Sequence, residues 1–126
     1  MNDGKNRAKI LLVEDDEAVC ASLKFALELD GFDVAASQTA SGALAAVDGS
    51  CAVLLIDYWL PDLNGLALLA RLRASGVAAP ALLITSNPSE LLRARADAAG
   101  AQIVEKPLLD DTVLTAVRRL IDVDCA

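Results

Sequence analysis

Short apolar runs alternate along the chain with longer segments in which apolar residues recur at the 3.6-residue period of a helix. The apolar runs predict five strands, at residues 8–13, 32–36, 51–56, 80–85 and 101–104. The helical patterns predict five helices, at residues 17–30, about 40–48, 65–74, about 89–99 and about 110–121. Glycines close the first and fourth of these helices, and Asn64 precedes the third, where its side chain can cap the helix. The chain is therefore predicted to consist of five β-α units.

Five β-α units in this order predict a parallel sheet with helices on both faces, which is a doubly wound α/β fold. The runs at 10–13, 51–56 and 81–84 are continuously apolar, as expected of central strands, whereas the second and fifth strands contain polar residues and suit the edges. A strand order of 2-1-3-4-5 accommodates this distribution. The ligand site of such a sheet lies beyond the carboxyl ends of its first and third strands. We expect a single domain over residues 1–126, with its core at about 8–121.

Composition narrows the class of protein. The net charge of −7 disfavours duplex DNA as a partner of this domain alone, and the absence of histidine removes the commonest general base and metal ligand. The cysteines, Cys20, Cys51 and Cys125, lie far apart, which predicts reduced thiols and not a disulfide or a metal site. No apolar run approaches the ~20 residues of a transmembrane helix. The N-terminal residues lack the apolar segment of a signal peptide, so a cytoplasmic location is expected.

Polar residues follow the predicted strands at the carboxyl edge of the sheet. They are Glu14, Asp15 and Asp16 after the first strand, Asp57 after the third, Thr85 at the end of the fourth and Lys106 after the fifth. Neighbouring strands are ~4.8 Å apart, so the acidic residues of the first and third strands are predicted to lie side by side. Close carboxylates repel one another unless a divalent cation binds between them. Mg²⁺ is the best candidate, because it binds through one or two carboxylates together with a phosphate. Asp16 is predicted to be a solvated helix cap and not a ligand.

A carboxylate beside Mg²⁺ can also attack phosphorus and form an acyl phosphate. Such a transfer needs charge neutralisation on the transferred oxygens, which a lysine and a hydroxyl can assist. Lys106 and Thr85 are the residues within reach. The position of Asp57 at the end of a rigid strand is therefore interpreted as that of a phosphoryl acceptor.

The motifs "ILLVEDDE", "LLIDYWLPDLNG", "LLIT" and "EKP" together resemble the receiver domain of two-component response regulators, over about residues 8–121. The resemblance implies a flavodoxin-like (βα)₅ fold similar to that of the chemotaxis regulator. It also implies that Asp57 is the phosphorylation site, that Asp15 is a direct Mg²⁺ ligand, and that Glu14 acts on the metal through water. The backbone carbonyl of Trp59 is implied as a further ligand. The implied donor is a histidine kinase or a phosphotransfer protein.

The resemblance also implies how the signal leaves the site. Thr85 is the implied switch hydroxyl, which turns toward the phosphoryl group, and Lys106 is the implied ion-pair partner of that group. A cis peptide bond is implied between Lys106 and Pro107. Phosphorylation would change the face formed by the fourth helix, the fifth strand and the last helix, where a downstream protein or a second copy would bind. The family usually has an aromatic residue three positions before the lysine, where this chain has Ile103.

Two further residues are predicted to influence the lifetime of the phosphoryl group. Trp59 stands two positions after the acceptor, and Asn87 stands two positions after Thr85. In the resembled family these positions flank the path of the attacking water. We hypothesise that the indole of Trp59 shields the acyl phosphate.

Other functions would require different residues at these positions. A phosphohydrolase of the haloacid-dehalogenase type needs a second aspartate two positions after the first, where this chain has Trp59. A flavin- or nucleotide-binding module needs a Gly- or Ser/Thr-rich loop after the first strand, where this chain has "VEDDEAV". A receiver that acts as a protein-interaction module without phosphorylation remains as the alternative. The expected activity is self-phosphorylation and slow autodephosphorylation only, and the sequence leaves open whether the chain is a stand-alone regulator or part of a longer protein.

Overall fold

The computed structural model describes residues 7–108 and 112–125, with side chains described as far as residue 121. The strands are β1 (Lys9–Val13), β2 (Asp33–Ser37), β3 (Cys51–Asp57), β4 (Ala81–Thr85) and β5 (Ala101–Glu105). The helices are α1 (Glu17–Leu29), α2 (Ala40–Ala46), α3 (Gly65–Ala74), α4 (Glu90–Ala98) and α5 (Thr112–Cys125). The five strands form one parallel sheet in the order β2-β1-β3-β4-β5. The predicted fold class and strand order are confirmed.

The element boundaries differ from the prediction at a few ends. The pattern placed Asp57 and Glu105 just after their strands, but both belong to the strands themselves, β3 and β5. The last helix runs to Cys125, beyond its predicted end at residue 121, and its predicted start at residue 110 lies outside the described residues. In the described part of the chain, no helix is both long and apolar enough to cross a membrane.

The sheet separates two apolar cores because alternate residues of a strand point to opposite faces. Leu54 and Ile56 of β3 belong to a core with residues of α2, α3 and α4. Val53 and Leu55 of the same strand belong to a second core with residues of α1 and α5. All four side chains are buried, which explains the continuously apolar sequence of this central strand.

Short polar side chains begin the first four helices. The carboxylate of Asp16 accepts the Val19 N–H at the start of α1, at 3.1 Å, and the Asn64 side chain accepts the Ala67 N–H at the start of α3, at 2.8 Å. Both predicted caps are confirmed. Thr39 and Ser89 do the same for α2 and α4. These caps satisfy N–H groups that a helix start cannot pair internally.

Helix α4 is attached to the sheet by few side chains. Within α4, every residue of which is described, only Ala96 is buried. Leu91 is 61% exposed. Leu92 is half-buried against the core that contains residues of α2, α3 and α4, called the α2–α4 core below. An ion pair of 2.6 Å between Arg93 Nη2 and Glu105 Oε2 joins the outer side of the helix to β5. The surface formed by α4 and β5 is therefore largely open to solvent.

Candidate phosphoacceptor and metal site

The backbone pairing of the sheet continues one step beyond three strand ends and positions the polar residues there. The Glu14 N–H donates to Ser37 O at 3.0 Å, the Tyr58 N–H donates to Ile84 O at 2.8 Å, and the Lys106 N–H donates to Thr85 O at 2.9 Å. Each bond joins the residue after one strand to the last or next-to-last residue of the neighbouring strand. The candidate site therefore has the rigidity of the sheet and not that of a free loop.

Three acidic side chains converge at this edge. One carboxylate oxygen from each of Glu14, Asp15 and Asp57 lies within 4.8 Å of the others. Glu14 and Asp57 are buried, whereas Asp15 is exposed. Lys106 Nζ lies 3.4 Å from Glu14 Oε1 and 3.5 Å from Asp57 Oδ2. One lysine therefore faces both buried acids.

Backbone N–H groups bind the other oxygens of the buried pair. The Asp16 N–H donates to Glu14 Oε2 at 3.1 Å, and the Trp59 N–H donates to Asp57 Oδ1 at 3.2 Å. Glu14 Oε1 is buried and accepts no hydrogen bond from the described residues, so its compensation among them is the ion pair with Lys106 Nζ at 3.4 Å. A buried oxygen without such a partner is costly unless another group compensates it. The arrangement of oxygens fits a hard divalent cation such as Mg²⁺.

The pKa shifts of the cluster also favour the binding of a cation. Burial, together with the neighbouring Asp57, raises the pKa of Glu14 to about 7. Burial also raises the pKa of Asp57, although Glu14 and Lys106 oppose the shift. Burial works against the charge of Lys106, but Asp57 and Glu14 outweigh it and raise the pKa of the ammonium. The carboxylates need positive charge beyond the single lysine to ionise together.

The remaining predicted residues surround this cluster. Thr85 is buried at the end of β4, in register with Glu105 of β5, and the Lys106–Pro107 peptide bond is cis as expected. Trp59 is 66% exposed, and its ring meets Tyr58 edge to face, with centroids 4.8 Å apart. Asn87 adopts a left-handed backbone conformation with φ of 48°.

An open cleft of about 290 Å³ contains both hypothesised modulators. It is lined by Tyr58, Trp59, Thr85, Ser86, Asn87, Pro88, Ser89 and Leu92. Trp59 and Asn87 therefore share one cleft with the predicted switch hydroxyl.

Ile103 packs where the resembled family usually has an aromatic residue. Its side chain is half-buried, pairs in register with Leu83 of β4, and contacts the α2–α4 core. An isoleucine at this position is a core residue with less reach than an aromatic side chain.

The two cysteines whose side chains are described, Cys20 and Cys51, do not belong to the acidic cluster. Cys20 is buried, Cys51 is half-buried, and both are free thiols, as predicted. Burial raises the pKa of each thiol, which makes it a poor nucleophile at neutral pH. The side chain of Cys125 lies outside the described residues.

The sequence did not indicate two residues that shape the loop after β3. A Cβ atom at Gly65 would lie 2.6 Å from the Asp57 carbonyl oxygen, so α3 can begin this close to the strand only with glycine. Asp62 accepts the N–H groups of Ala40 and Ser41, at 2.9 and 3.0 Å. The glycine could have been suspected because it directly follows a helix cap. The Asp62 contact joins residues more than twenty positions apart, for which periodicity and capping patterns give no signal.

Comparison with known proteins places the chain among signalling domains. The model of the response regulator receiver domain family matches residues 10–118. The transcriptional regulatory protein CpxR of Escherichia coli (strain K12) is 34% identical over 114 residues, covering 90% of this chain and 49% of CpxR. FixJ, a transcriptional regulatory protein of Rhizobium meliloti (strain 1021), is 36% identical over 110 residues, covering 86% of this chain and 54% of FixJ. The chain spans about half the length of these curated relatives.

Solved structures show the same fold. A CheY-like response regulator receiver domain protein from Methanospirillum hungatei JF-1 superposes with a TM-score of 0.86 at 28% identity, covering 93% of this chain and 95% of that one. The non-phosphorylated HemR receiver domain from Leptospira biflexa also gives a TM-score of 0.86, at 31% identity, covering 91% and 94%. The five-stranded arrangement described above is therefore similar to that of receiver domains.

Proposed function

The chain belongs to the response regulator receiver domain family of two-component signal transduction, and from that premise we propose that it is a phosphorylation-controlled switch with Asp57 as its phosphoryl acceptor. The observation that carries the proposal is a buried aspartate at the end of a central strand, beside two further acids and a lysine. An aspartate with only a structural role would not require two further acids and a lysine beside it. The donor is a histidine kinase or a phosphotransfer protein.

In the proposed reaction a carboxylate oxygen of Asp57 attacks the phosphorus atom of a phosphohistidine. A P–O bond forms, the P–N bond breaks, and the departing imidazole nitrogen keeps the electron pair and takes up a proton. Held by Asp15, Asp57, the Trp59 carbonyl and, through water, Glu14, Mg²⁺ would neutralise charge on the transferred oxygens. Lys106 supplies a second positive charge 3.5 Å from Asp57 Oδ2. The product is an acyl phosphate on Asp57.

The same residues link the phosphoryl group to the surface. Thr85 ends β4 beside the acceptor and begins the loop that leads to α4. Its hydroxyl would turn toward a phosphoryl oxygen, and Lys106 would form an ion pair with the phosphoryl group. Movement of the loop after β4 would alter the face made by α4, β5 and α5. That face would bind a downstream protein or a second copy of the chain, and no direct contact of this domain with nucleic acid is proposed.

A second candidate function rests on Ile103. Because this side chain replaces an aromatic one, the link between Thr85 and the outer face could work differently here. In that case the domain would act as a protein-interaction module without phosphorylation. The complete acidic cluster favours the phosphorylated switch.

The deciding experiment is phosphorylation by acetyl phosphate with and without MgCl₂, followed by intact-mass measurement. We expect the mass of one added phosphoryl group in wild type with Mg²⁺, and none after addition of EDTA. Asp57→Asn should gain nothing, whereas Asp33→Asn, at the opposite edge of the sheet, should behave as wild type. No mass gain in wild type would favour the interaction module, and equal gain in Asp57→Asn would place the acceptor elsewhere.

A further inference from the structure

The loop of residues 58–64, between β3 and α3, is fixed at both of its ends. At its start the Tyr58 N–H donates to Ile84 O at 2.8 Å. At its end the Gly65 N–H donates back to Tyr58 O at 2.7 Å, which closes the loop on itself. The proposed metal-binding carbonyl of Trp59 lies between these points. Between these ends, the Trp59 N–H donates to Asp57 Oδ1 at 3.2 Å. Leu60 and Leu63 pack against the α2–α4 core.

Asp62 holds the middle of the loop to α2. Its Oδ1 accepts the Ala40 N–H at 2.9 Å and its Oδ2 accepts the Ser41 N–H at 3.0 Å. We call these two bonds the Asp62 anchor. The N–H groups of Ala40 and Ser41 hold the pKa of Asp62 below its usual range, so the anchor is charged at neutral pH.

The anchor is more than a helix cap, because α2 already has one. The Thr39 side chain accepts the Gly42 N–H at 3.0 Å, and the Thr39 carbonyl accepts the Ala43 N–H at 3.1 Å. The carboxylate of a distant loop is therefore added to a helix start that the residue directly before the helix already caps. Its distinct effect is to join the loop to α2.

The turn that receives the anchor also touches the opposite side of the site. Ser37 O accepts the Glu14 N–H at 3.0 Å, and the Ser37 hydroxyl donates to Thr39 O at 3.0 Å. A Cβ atom at Gly42 would lie 2.4 Å from Ser37 Oγ, so the turn is closely packed. Residues 37–41 thus connect the backbone of Glu14 to the loop that follows Asp57.

From these contacts we propose that Asp62 is a positioning residue for the metal site. By tying the loop to the turn of residues 37–41, the Asp62 anchor fixes the Trp59 carbonyl relative to the acidic cluster. The inference rests on the proposed function, because it presumes that Mg²⁺ binds there. Residues that orient metal ligands without touching the metal typically change metal affinity by about 10–100-fold when removed.

The test is Mg²⁺ affinity by calorimetric titration with MgCl₂ at fixed, near-physiological salt. Asp62→Ala should weaken binding by about tenfold, and Asp62→Asn, which keeps one acceptor oxygen, should fall between it and wild type. Asp48→Ala removes a carboxylate that also accepts a backbone N–H, that of Ser50 at 2.8 Å, but lies before β3 at the other end of the sheet, and should stay within about twofold of wild type. Thermal unfolding and the fluorescence of Trp59, the single tryptophan of the chain, are recorded for each variant.

Amide hydrogen exchange at Ala40 and Ser41 reports the anchor directly. Faster exchange in Asp62→Ala together with weaker Mg²⁺ binding and an altered Trp59 emission supports the proposal. Faster exchange with unchanged Mg²⁺ affinity overturns it and leaves Asp62 as a helix cap. If Asp62→Ala does not fold, Asp62→Asn decides by the same criteria. If wild type itself binds no Mg²⁺, both this inference and the proposed metal site are overturned. If wild type binds Mg²⁺ and the variants bind it equally well, only this inference fails.

Discussion

At the scale of single residues, the candidate site places ionisable groups where burial disfavours their charged forms. Glu14 and Asp57 are both buried, and Lys106 is the one cation within ion-pair distance of either acid among the described residues. Their carboxylates therefore favour the protonated state more than ordinary surface acids do. In the absence of metal, the site should cost stability at neutral pH.

This cost predicts an unusual dependence of stability on pH. The folded state binds the proton of Glu14 more tightly than the unfolded state does, since its pKa rises from 4.5 to about 7. Unfolding then releases a proton, so without metal the free energy of unfolding should fall as pH rises through that window. Glu14→Gln should raise the free energy of unfolding at pH 8 by about 2 kcal/mol and by far less near about pH 5, measured by urea unfolding in EDTA.

The control for this experiment is Glu28→Gln, which removes an exposed carboxylate of α1. It should change the free energy of unfolding by less than about 0.5 kcal/mol at both pH values. An equal gain for Glu14→Gln at both pH values would contradict the assignment of the effect to ionisation.

Trp59 makes a second prediction at this scale. Its exposed indole lies in the cleft that contains Thr85 and Asn87. If it excludes water from the acyl phosphate, Trp59→Ala should lose phosphate several-fold faster than wild type, whereas Trp59→Phe should lie closer to wild type. The measurement is release of inorganic phosphate after removal of the donor. A Trp59→Ala rate no faster than wild type would refute the shielding hypothesis.

At the scale of elements, the start of α3 depends on one close approach. Gly65 brings the helix against the carbonyl of Asp57, and the same residue closes the preceding loop through its N–H. A methyl group there would meet backbone atoms of Asp57 and Tyr58, which cannot rotate away. The position of the helix and that of the phosphoacceptor are therefore coupled.

We expect Gly65→Ala to destabilise the fold by about 1–3 kcal/mol, because the added methyl group overpacks a rigid contact. Gly49→Ala is the matched control, since a Cβ atom at Gly49 would meet nothing within 4 Å. Urea unfolding of both variants provides the measurement. Equal stability of the two variants would show that α3 can shift away from β3 without cost.

Elements were predictable from the sequence where their cause is local. Short apolar runs and the 3.6-residue period predicted the ten elements, and capping residues such as Asn64 predicted helix starts to within a residue. The grouping of Glu14, Asp15 and Asp57 was also predictable, because parallel strands bring their carboxyl ends to one edge. The Asp62 anchor was not, because a carboxylate in one loop and a helix start in another meet only after the fold exists.

At the scale of the whole molecule, one sheet supports both apolar cores. The neighbouring residues Leu54 and Leu55 are fully buried on opposite faces of β3. Because the strand is common to the two cores, neither can lose its packing while the other keeps a regular sheet. The described domain should therefore unfold as a single cooperative unit.

Leu54→Ala and Leu55→Ala should each lower the free energy of unfolding by about 2–5 kcal/mol, since each leaves a cavity in a fully packed core. Both variants should unfold in one transition when followed by far-ultraviolet circular dichroism and by Trp59 fluorescence. Leu91→Ala, at a site that is 61% exposed, should cost less than about 0.5 kcal/mol. Separate transitions by the two probes would show that the cores are independent.

The sparse attachment of α4 makes it less costly to displace than α3. Moving a helix forfeits the apolar surface that it buries, at about 25 cal/mol per Å². For α4 this surface comes mainly from Ala96 and the half-buried Leu92, whereas α3 buries Leu68, Leu69 and Leu72. In the proposed switch, a coupling free energy of about 1–3 kcal/mol, typical of allosteric proteins, would therefore redistribute α4 among positions while α3 stays in place. In this proposal α3 keeps its packing against the sheet, and α4 is the helix that changes position.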